Sequence, residues 1–358
     1  MSVPEFTFGI ELEYIVPYIY TGEADPEQGE SRPIDRVPRR PNGFQPSEAD
    51  DILIDNVVYN RVHRTLTFVG LPAAPMAAQP EGAPPVLPTE WDTVKDESLM
   101  ETEEITEKYD NRYVPLEVRS PVLFADRPGF RSIRLAVDSL MTRHRLFVGK
   151  SCGYHVHVGR GTQGFSLPVL KRTAAFLWVF DRQLGSLHPM ERHTNGYAVS
   201  MREKANISRY ASDLREGIRA IYATQTAREL VHLIHWTDDL EKFHNDDVFV
   251  RNMAYNFINI VHAEGKKTIE FRQFTSTTDS LDIKMWAEIC VGIVMACSLA
   301  QEGLWINFLH NAASMEENMP ARALKIGPLL RRIGLGDQSI WAQHRSNSLG
   351  FGGSCWAQ

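Results

Sequence analysis

The sequence predicts an α+β fold, and two observations point to this class. Helical segments separate most of the predicted strands, and the runs "YNFINIVH" and "KTIEFRQF" read as two strands joined by a short turn at residues 264–266, which suits a hairpin. A doubly wound parallel sheet would show a different order of elements. The chain also contains no glycine-rich phosphate loop of the P-loop or Rossmann type.

The remaining elements follow from hydrophobic periodicity along the chain. Alternating apolar residues predict strands at 5–16, 91–99, 115–123 and 152–159. Helical periodicity predicts helices at 47–69, 128–146, 168–185, 215–235, 282–302 and 318–333. No clear period extends through residues 186–215. We therefore expect one catalytic domain over residues 1–335, with long loops at 20–46 and 71–90, and a C-terminal tail at 336–358 that is loose from residue 346.

Composition restricts the class of protein. Hydrophobic residues make up 43 % of 358 positions, which is enough for a sizeable core. The formal charge of -7, without a basic face, argues against a nucleic-acid partner. The first residues lack the basic and apolar run of a signal peptide, and the most apolar segment, 289–300, is too short to span a membrane. Four cysteines without a CxxC pair are typical of reduced thiols, so we expect a cytoplasmic protein without a membrane partner.

Four predicted strands share an unusual pattern, with one apolar face and one face that carries two ionisable residues. The stretches are "FGIELEY", "PLEVRSP", "GYHVHVG" and "TIEFRQF". Because side chains alternate across a strand, the paired carboxylates of the first stretch point the same way and repel each other. For a single strand, a polar face that meets solvent is the simpler explanation. It fits all four strands less well, because these faces carry Glu, His and Arg but no Lys.

A sheet that points these faces inward would form an acidic, histidine-bearing funnel. Carboxylates can share such a pocket only when cations compensate their charge. Divalent metal ions, together with Arg119 and Arg272, would supply that compensation. Carboxylates with imidazole suit Mg²⁺ or Mn²⁺, which commonly accompany phosphate substrates. Asp96, in "VKDES", adds a carboxylate on a fifth strand.

At these residues the sequence resembles the amidoligase family. "FGIELE", "PLEVRSPVL", "CGYHVHVG" and "KTIEFRQF" look like the family's signature strands, in the same order. "RHTNGYA" and "RNMAYNF" resemble two further blocks of the family. The family belongs to the carboxylate–amine ligases that include glutamine synthetase. The resemblance implies a curved, mainly antiparallel sheet that forms an active-site funnel, with helices packed behind it.

The resemblance also implies a reaction and its residues. ATP phosphorylates a small-molecule or peptide carboxylate, and an amine then displaces phosphate to give an amide and ADP. By similarity, the ligands of two or three Mg²⁺ (or Mn²⁺) ions are Glu11, Glu13, Glu117, His155 and Glu270.

Further roles follow from the same similarity. His157 matches a histidine near the nucleotide phosphates, and Arg272 matches the arginine that faces the transferred phosphoryl group. Arg192 and Asn256 are candidates for contact with substrate or phosphate. We expect Asp96 to accept the proton of the amine or to bind the amine.

Some questions stay open at this level. After the EFR strand the family often has a glycine–threonine pair, whereas this chain has "QFTSTTDS". A metal-dependent hydrolase could use the same carboxylates and histidines, although Arg272 would then lack a clear role. A non-catalytic relative that binds a nucleotide is the other alternative. The sequence is compatible with an oligomer and does not identify the acid or the amine.

Overall fold

The computed structural model describes residues 6–39, 48–74, 88–237, 250–262 and 266–353. The chain divides into two compact units. The first unit comprises residues 9–154 and 276–284, and the second comprises the residues up to 8 together with 155–275 and 285–358. The prediction of one catalytic domain over residues 1–335 stays a prediction.

Eight strands are present in the described residues. They are β1 Thr7–Tyr20, β2 Asp35–Val37, β3 Asp92–Lys95, β4 Tyr113–Arg119, β5 Leu123–Phe124, β6 Gly153–Gly159, β7 Tyr255–Asn256 and β8 Ile269–Thr275. In the first unit the order is β3-β4-β1, both pairings are antiparallel, and β2 joins β1 in parallel. In the second unit the order is β6-β8-β7, with β7 antiparallel to β8.

Fourteen α-helices complete the described residues. They are α1 Glu48–Phe68, α2 Glu103–Tyr109, α3 Arg127–Arg143, α4 Leu167–Gly185, α5 Met190–His193, α6 Met201–Lys204, α7 Ile207–Tyr210, α8 Leu214–Ala223, α9 Ala227–Ile234, α10 Ile258–Val261, α11 Ser280–Leu299, α12 Glu302–Asn318, α13 Ile326–Arg332 and α14 Gly336–Ser348. The α+β class is therefore confirmed. The likeness to the glutamine synthetase fold stays a prediction.

The core of each unit follows the predicted apolar faces. Along β4, Val114, Leu116 and Val118 are buried, while the alternate positions are half-buried. In the first unit α1 packs on α3, β3 and β4. In the second unit α4 is buried along most of its length and packs against α6, α8, α9 and α12. None of the described helices has the length and apolar character needed to cross a membrane.

The segment after β1 occupies the first part of the long loop predicted at residues 20–46. Over residues 20–39, acidic side chains pair with basic side chains of the first unit, and β2 pairs with β1. The ion pairs are Glu23–Arg112 at 2.5 Å, Asp25–Arg145 at 2.6 Å and Glu27–Lys108 at 2.7 Å. These charged residues therefore fasten the segment to the first unit, and residues 40–46 lie outside the described part.

Several local predictions differ from the structure because capping residues interrupt the hydrophobic period. The helix predicted at 215–235 is two helices, since the Thr226 side chain accepts a hydrogen bond from Glu229 N and begins α9. Helix α2 was not predicted, and Thr102 caps it through Ile105 N at 3.3 Å. The predicted C-terminal tail begins with helix α14, which packs on α13.

The predicted hairpin is also corrected. The first of its two strands ends at Asn256, and a helical turn, α10, follows where a strand was expected. Asn256 Oδ1 accepts a hydrogen bond from Ile258 N at 2.9 Å, which favours a turn over continued extension. The predicted turn at 264–266 lies partly outside the described residues.

The prediction of reduced thiols stays a prediction. Cys152, Cys290 and Cys297 are buried, and they form no disulfide with one another in the described residues. Cys355 lies outside the described residues.

Candidate active site

The first unit brings three carboxylates together. Glu13 lies directly opposite Glu117 in the antiparallel register of β1 and β4, and Asp96 follows the end of β3. One carboxylate oxygen from each of the three residues lies within 4.8 Å of the other two. A divalent cation bound about 2.1 Å from each oxygen keeps opposite ligands about 4 Å apart. The spacing is therefore close to that of a metal ligand set.

Backbone contacts hold two of these carboxylates in place. Glu13 is 4 % exposed and accepts a hydrogen bond from Gly153 N. The β3 strand is shorter than predicted, and it ends in a turn where Ser98 N donates to Asp96 Oδ1 at 2.8 Å. Asp96 N donates to Pro115 O at 3.4 Å, which ties this turn to β4. The turn therefore places the Asp96 carboxylate beside the Glu13–Glu117 pair.

Arg119 compensates part of the negative charge on the same face. It lies opposite Glu11 and Asp92 in the two registers, its Nη2 is 2.5 Å from Asp92 Oδ2, and its Nε is 3.8 Å from Glu117 Oε1. Glu11 itself is half-buried on β1. Asp92 was not among the predicted site residues. Asp92, Val94 and Asp96 are spaced by two residues, so an extended chain places them on one face. This spacing could have indicated Asp92 as a site residue.

The second unit contains a cluster around Glu270 on β8. Its carboxylate is 3 % exposed, and Oε1 is the point on which three neighbours converge. Arg272 Nη1 donates to Oε1 at 2.5 Å, while His155 Nδ1 and His157 Nε2 each lie 3.8 Å from it. The period of two along adjacent strands β6 and β8 explains this convergence, because each pair occupies one face. Carboxylate and imidazole donors of this kind fit Mg²⁺ or Mn²⁺.

Arg272 and His157 have further contacts that fix their directions. Arg272 Nε donates to the Tyr197 carbonyl at 3.4 Å, and its side chain is 18 % exposed. His157 Nδ1 lies 3.2 Å from Thr268 Oγ1, so its Nε2 is the nitrogen turned toward Glu270. Thr268 and Tyr197 were not predicted, since a backbone carbonyl and a single threonine give no pattern in the sequence.

Arg192 and Asn256 both contact protein groups of the second unit. Arg192 is 5 % exposed and donates to the carbonyl oxygens of Gln273 at 3.1 Å and Arg272 at 2.9 Å, so it binds the backbone of β8. Asn256 is buried and donates from Nδ2 to Glu270 Oε2 at 2.7 Å. Their predicted contacts with substrate or phosphate stay predictions.

A small polar cavity lies behind β8 in the second unit. It has a volume of about 30 Å³, and its lining includes Asp181, His188 and Gln273. Both ring nitrogens of His188 and Gln273 Oε1 are buried without a hydrogen-bond partner in the described residues. Such a cavity has room for about one or two waters, and water would satisfy these atoms. Burial also holds the pKa of His188 well below its usual range, so this ring stays neutral.

The fold and the two clusters define an α+β protein in which carboxylate and imidazole groups lie beside arginines. The family model described as "Putative amidoligase enzyme" matches residues 4–294. Because this match spans most of the 358 residues, the chain belongs to the amidoligase family, and the resemblance identified in the sequence is confirmed. The family indicates a ligase-type enzyme. No curated protein matched the chain.

Proposed function

We propose that the protein is an ATP-dependent carboxylate–amine ligase that releases ADP and phosphate. The observation that carries the proposal is the contact of Arg272 Nη1 with Glu270 Oε1, with His155 and His157 on the same oxygen. Phosphoryl transfer needs an arginine beside a cation-binding carboxylate more than it needs covalent help from the protein. A metal-dependent hydrolase would give Arg272 no comparable role.

The proposed reaction has two steps. An oxygen of the substrate carboxylate forms a bond to the γ-phosphorus of ATP, and the bond from this phosphorus to the bridging oxygen of ADP breaks. The amine nitrogen then forms a bond to the acyl carbon, the bond from that carbon to the phosphate oxygen breaks, and the amine gives up a proton. The acid and the amine are small molecules or peptides.

Residues of both units would hold the metal ions. Glu13, Glu117 and Asp96 would hold one in the first unit, and Glu270 with His155 would hold one in the second; Glu11 is a further ligand by family similarity. When bound, Mg²⁺ neutralises charge on the phosphates. The planar Arg272 guanidinium matches phosphate oxygens and stabilises charge on the transferred group. His157, with Nε2 turned toward Glu270, is placed to donate to a phosphate oxygen.

Asp96 has two proposed roles, and the geometry favours one. Its oxygen lies within 4.8 Å of oxygens of Glu13 and Glu117, as a third metal ligand would. A base that removes the proton of the amine would work less well at that place, because a bound cation lowers the basicity of the carboxylate. We therefore propose that Asp96 binds metal, and that proton acceptance is its alternative role.

The test measures ADP release from ATP and Mg²⁺ with pools of amino acids and small carboxylic acids. Wild type is compared with Glu270→Ala and with the control Glu302→Ala, since Glu302 is exposed at the start of α12. We expect ADP release that needs both an acid and an amine, disappears in Glu270→Ala and persists in Glu302→Ala. Acid and amine consumption without nucleotide, or hydrolysis of an amide without ATP, would contradict the ligase and favour a hydrolase. Absence of nucleotide binding would also contradict it.

A further inference from the structure

The amide of Asn256 contacts the candidate metal ligand Glu270 directly. Asn256 lies opposite Glu270 in the register of β7 and β8, and it is 1 % exposed. Its Nδ2 donates to Glu270 Oε2 at 2.7 Å. This bond is made to Oε2, whereas Arg272 donates to Oε1.

A second bond fixes the orientation of the amide. Asn256 Oδ1 accepts from Ile258 N at 2.9 Å, at the start of α10. A backbone N–H can only donate, so the atom that it meets must be the carbonyl oxygen of the side chain. Nδ2 is therefore the atom on Glu270, and the amide cannot flip without losing both bonds.

The backbone beside Asn256 is held as well. Phe257 N donates to His235 Nε2 at 2.9 Å, and the other ring nitrogen, Nδ1, donates to Val250 O at 3.4 Å. His235 and Phe257 are buried. The contact fixes the residue that follows Asn256, so the amide is presented from a rigid part of the second unit.

The two oxygens of Glu270 consequently have different surroundings. Oε2 is bound by the amide, while Oε1 is 2.5 Å from Arg272 Nη1 and 3.8 Å from His155 Nδ1. A carboxylate with a neutral donor on one oxygen keeps its plane and directs the other oxygen at a cation. A lysine or arginine in place of the amide would lower the negative charge that a cation needs.

We propose that Asn256 is a positioning residue that fixes the Glu270 carboxylate for binding of a divalent cation through Oε1. The inference rests on the proposed function, in which Glu270 is a metal ligand. It gives Asn256 a role other than contact with substrate or phosphate, and it predicts that the amide contributes to metal affinity without touching the metal.

The experiment measures binding of Mn²⁺ alone to the full-length protein by electron paramagnetic resonance, without nucleotide or turnover. The variants are Asn256→Ala, Glu270→Ala and the matched control Asn206→Ala. Asn206 is also a buried amide of the second unit, and its Nδ2 donates to a carbonyl oxygen, His232 O, at 2.7 Å. The control thus loses a similar hydrogen bond at a place that contacts no candidate ligand. Thermal unfolding of each variant is recorded in parallel.

We expect Glu270→Ala to lose one Mn²⁺ site and Asn256→Ala to raise the Kd of that site about 10- to 100-fold. Asn206→Ala should bind as wild type does. If Asn256→Ala does not fold, Asn256→Leu replaces it, because leucine keeps the volume and removes both hydrogen bonds. Mn²⁺ binding by Asn256→Ala equal to that of Asn206→Ala would overturn the positioning role and leave the ligase proposal intact. Absence of Mn²⁺ binding by wild type would overturn both.

Discussion

Arg272 Nη1 lies 2.5 Å from Glu270 Oε1, two positions back along the same strand. The two side chains share one face of β8, and the Tyr197 carbonyl holds the guanidinium from another side at 3.4 Å. The arginine is thus oriented by its own strand and by a backbone atom of a neighbouring segment. This arrangement leads to the first prediction.

Arg272→Lys should keep the positive charge and lose the planar fork. We expect the rate of ADP release at saturating ATP to fall by about 100-fold or more, because a lysine cannot reproduce a directed pair of N–H donors in a transition state. Steady-state kinetics with the substrates found by the pool assay give kcat and KM separately. Arg322→Lys, at an exposed position of the second unit, is the control. A change in KM with kcat unchanged would contradict this role.

Asp96→Asn separates metal binding from proton acceptance. If Asp96 is a metal ligand, Asp96→Asn should raise the Kd for Mn²⁺ to the same extent as Glu117→Gln. If Asp96 is the base, Asp96→Asn should leave Mn²⁺ binding unchanged and lower the rate with ordinary amines. The rate of this variant should recover with hydroxylamine, which attacks without base assistance. Asp110→Asn, at an exposed position of the same unit, is the control for loss of one carboxylate. We expect the first result, since the three carboxylates converge.

The fastened segment at residues 20–39 gives a prediction on stability. Asp25→Ala leaves the guanidinium of Arg145, which is 2 % exposed, without its bidentate partner. We expect a loss of about 2 kcal/mol or more in the free energy of unfolding, measured in urea, and faster proteolysis within residues 20–39. Asp110→Asn removes the charge of a carboxylate that is 85 % exposed and pairs with Arg112, and asparagine suits the left-handed backbone at this position, so its effect should stay below about 1 kcal/mol. Equal effects of the two variants would contradict the prediction.

His144 gives a prediction on pH. Burial lowers the pKa of His144 to about 3, and Arg61 and Arg143 act in the same direction. In the unfolded chain the ring takes up a proton near its usual pKa of about 6.5, whereas the folded chain keeps it neutral. The stabilisation is therefore complete above about pH 6.5 and is lost progressively as pH falls toward 3.

Urea unfolding of wild type and His144→Gln between pH 7 and pH 4 measures this effect. The difference in unfolding free energy between the two should shrink by a few kcal/mol, roughly one per pH unit. His144 Nε2 also lies 2.8 Å from Thr65 Oγ1, so the variant starts with a lower stability at pH 7. His344→Gln, at an exposed position, is the control. A pH-independent difference would contradict the prediction.

The sequence predicted the features that depend on period. The alternation of Glu and apolar residues placed Glu13 and Glu117 on one face, and the register of β1 and β4 brings them directly opposite each other. The His155–His157 and Glu270–Arg272 pairs lie together for the same reason. These pairs depend on local geometry, which the order of residues determines.

Features that depend on one distant contact could not be predicted. The amide of Asn256 reaches Glu270 because a helical turn follows β7, and the hydrogen bond from Ile258 N begins that turn. The period of "YNFINIVH" gave no sign of it. Arg145 similarly reaches Asp25 across 120 positions. The composition of residues 20–46 gave no sign of this partner. Partners separated so far along the chain are set by packing, which a local pattern does not contain.

The pairing of Glu13 with Glu117 in the register of β1 and β4 restricts where this protein can accept insertions and deletions. Because the side-chain period of a strand is two, removing one residue within β1 or β4 would turn Leu12 or Leu116 to the acidic face and bury the carboxylates in the core. A deletion of an uncharged residue would leave the net charge the same, yet it would remove the carboxylates from this face of the sheet. We expect insertions and deletions to be tolerated in exposed connections and to abolish folding inside β1 and β4.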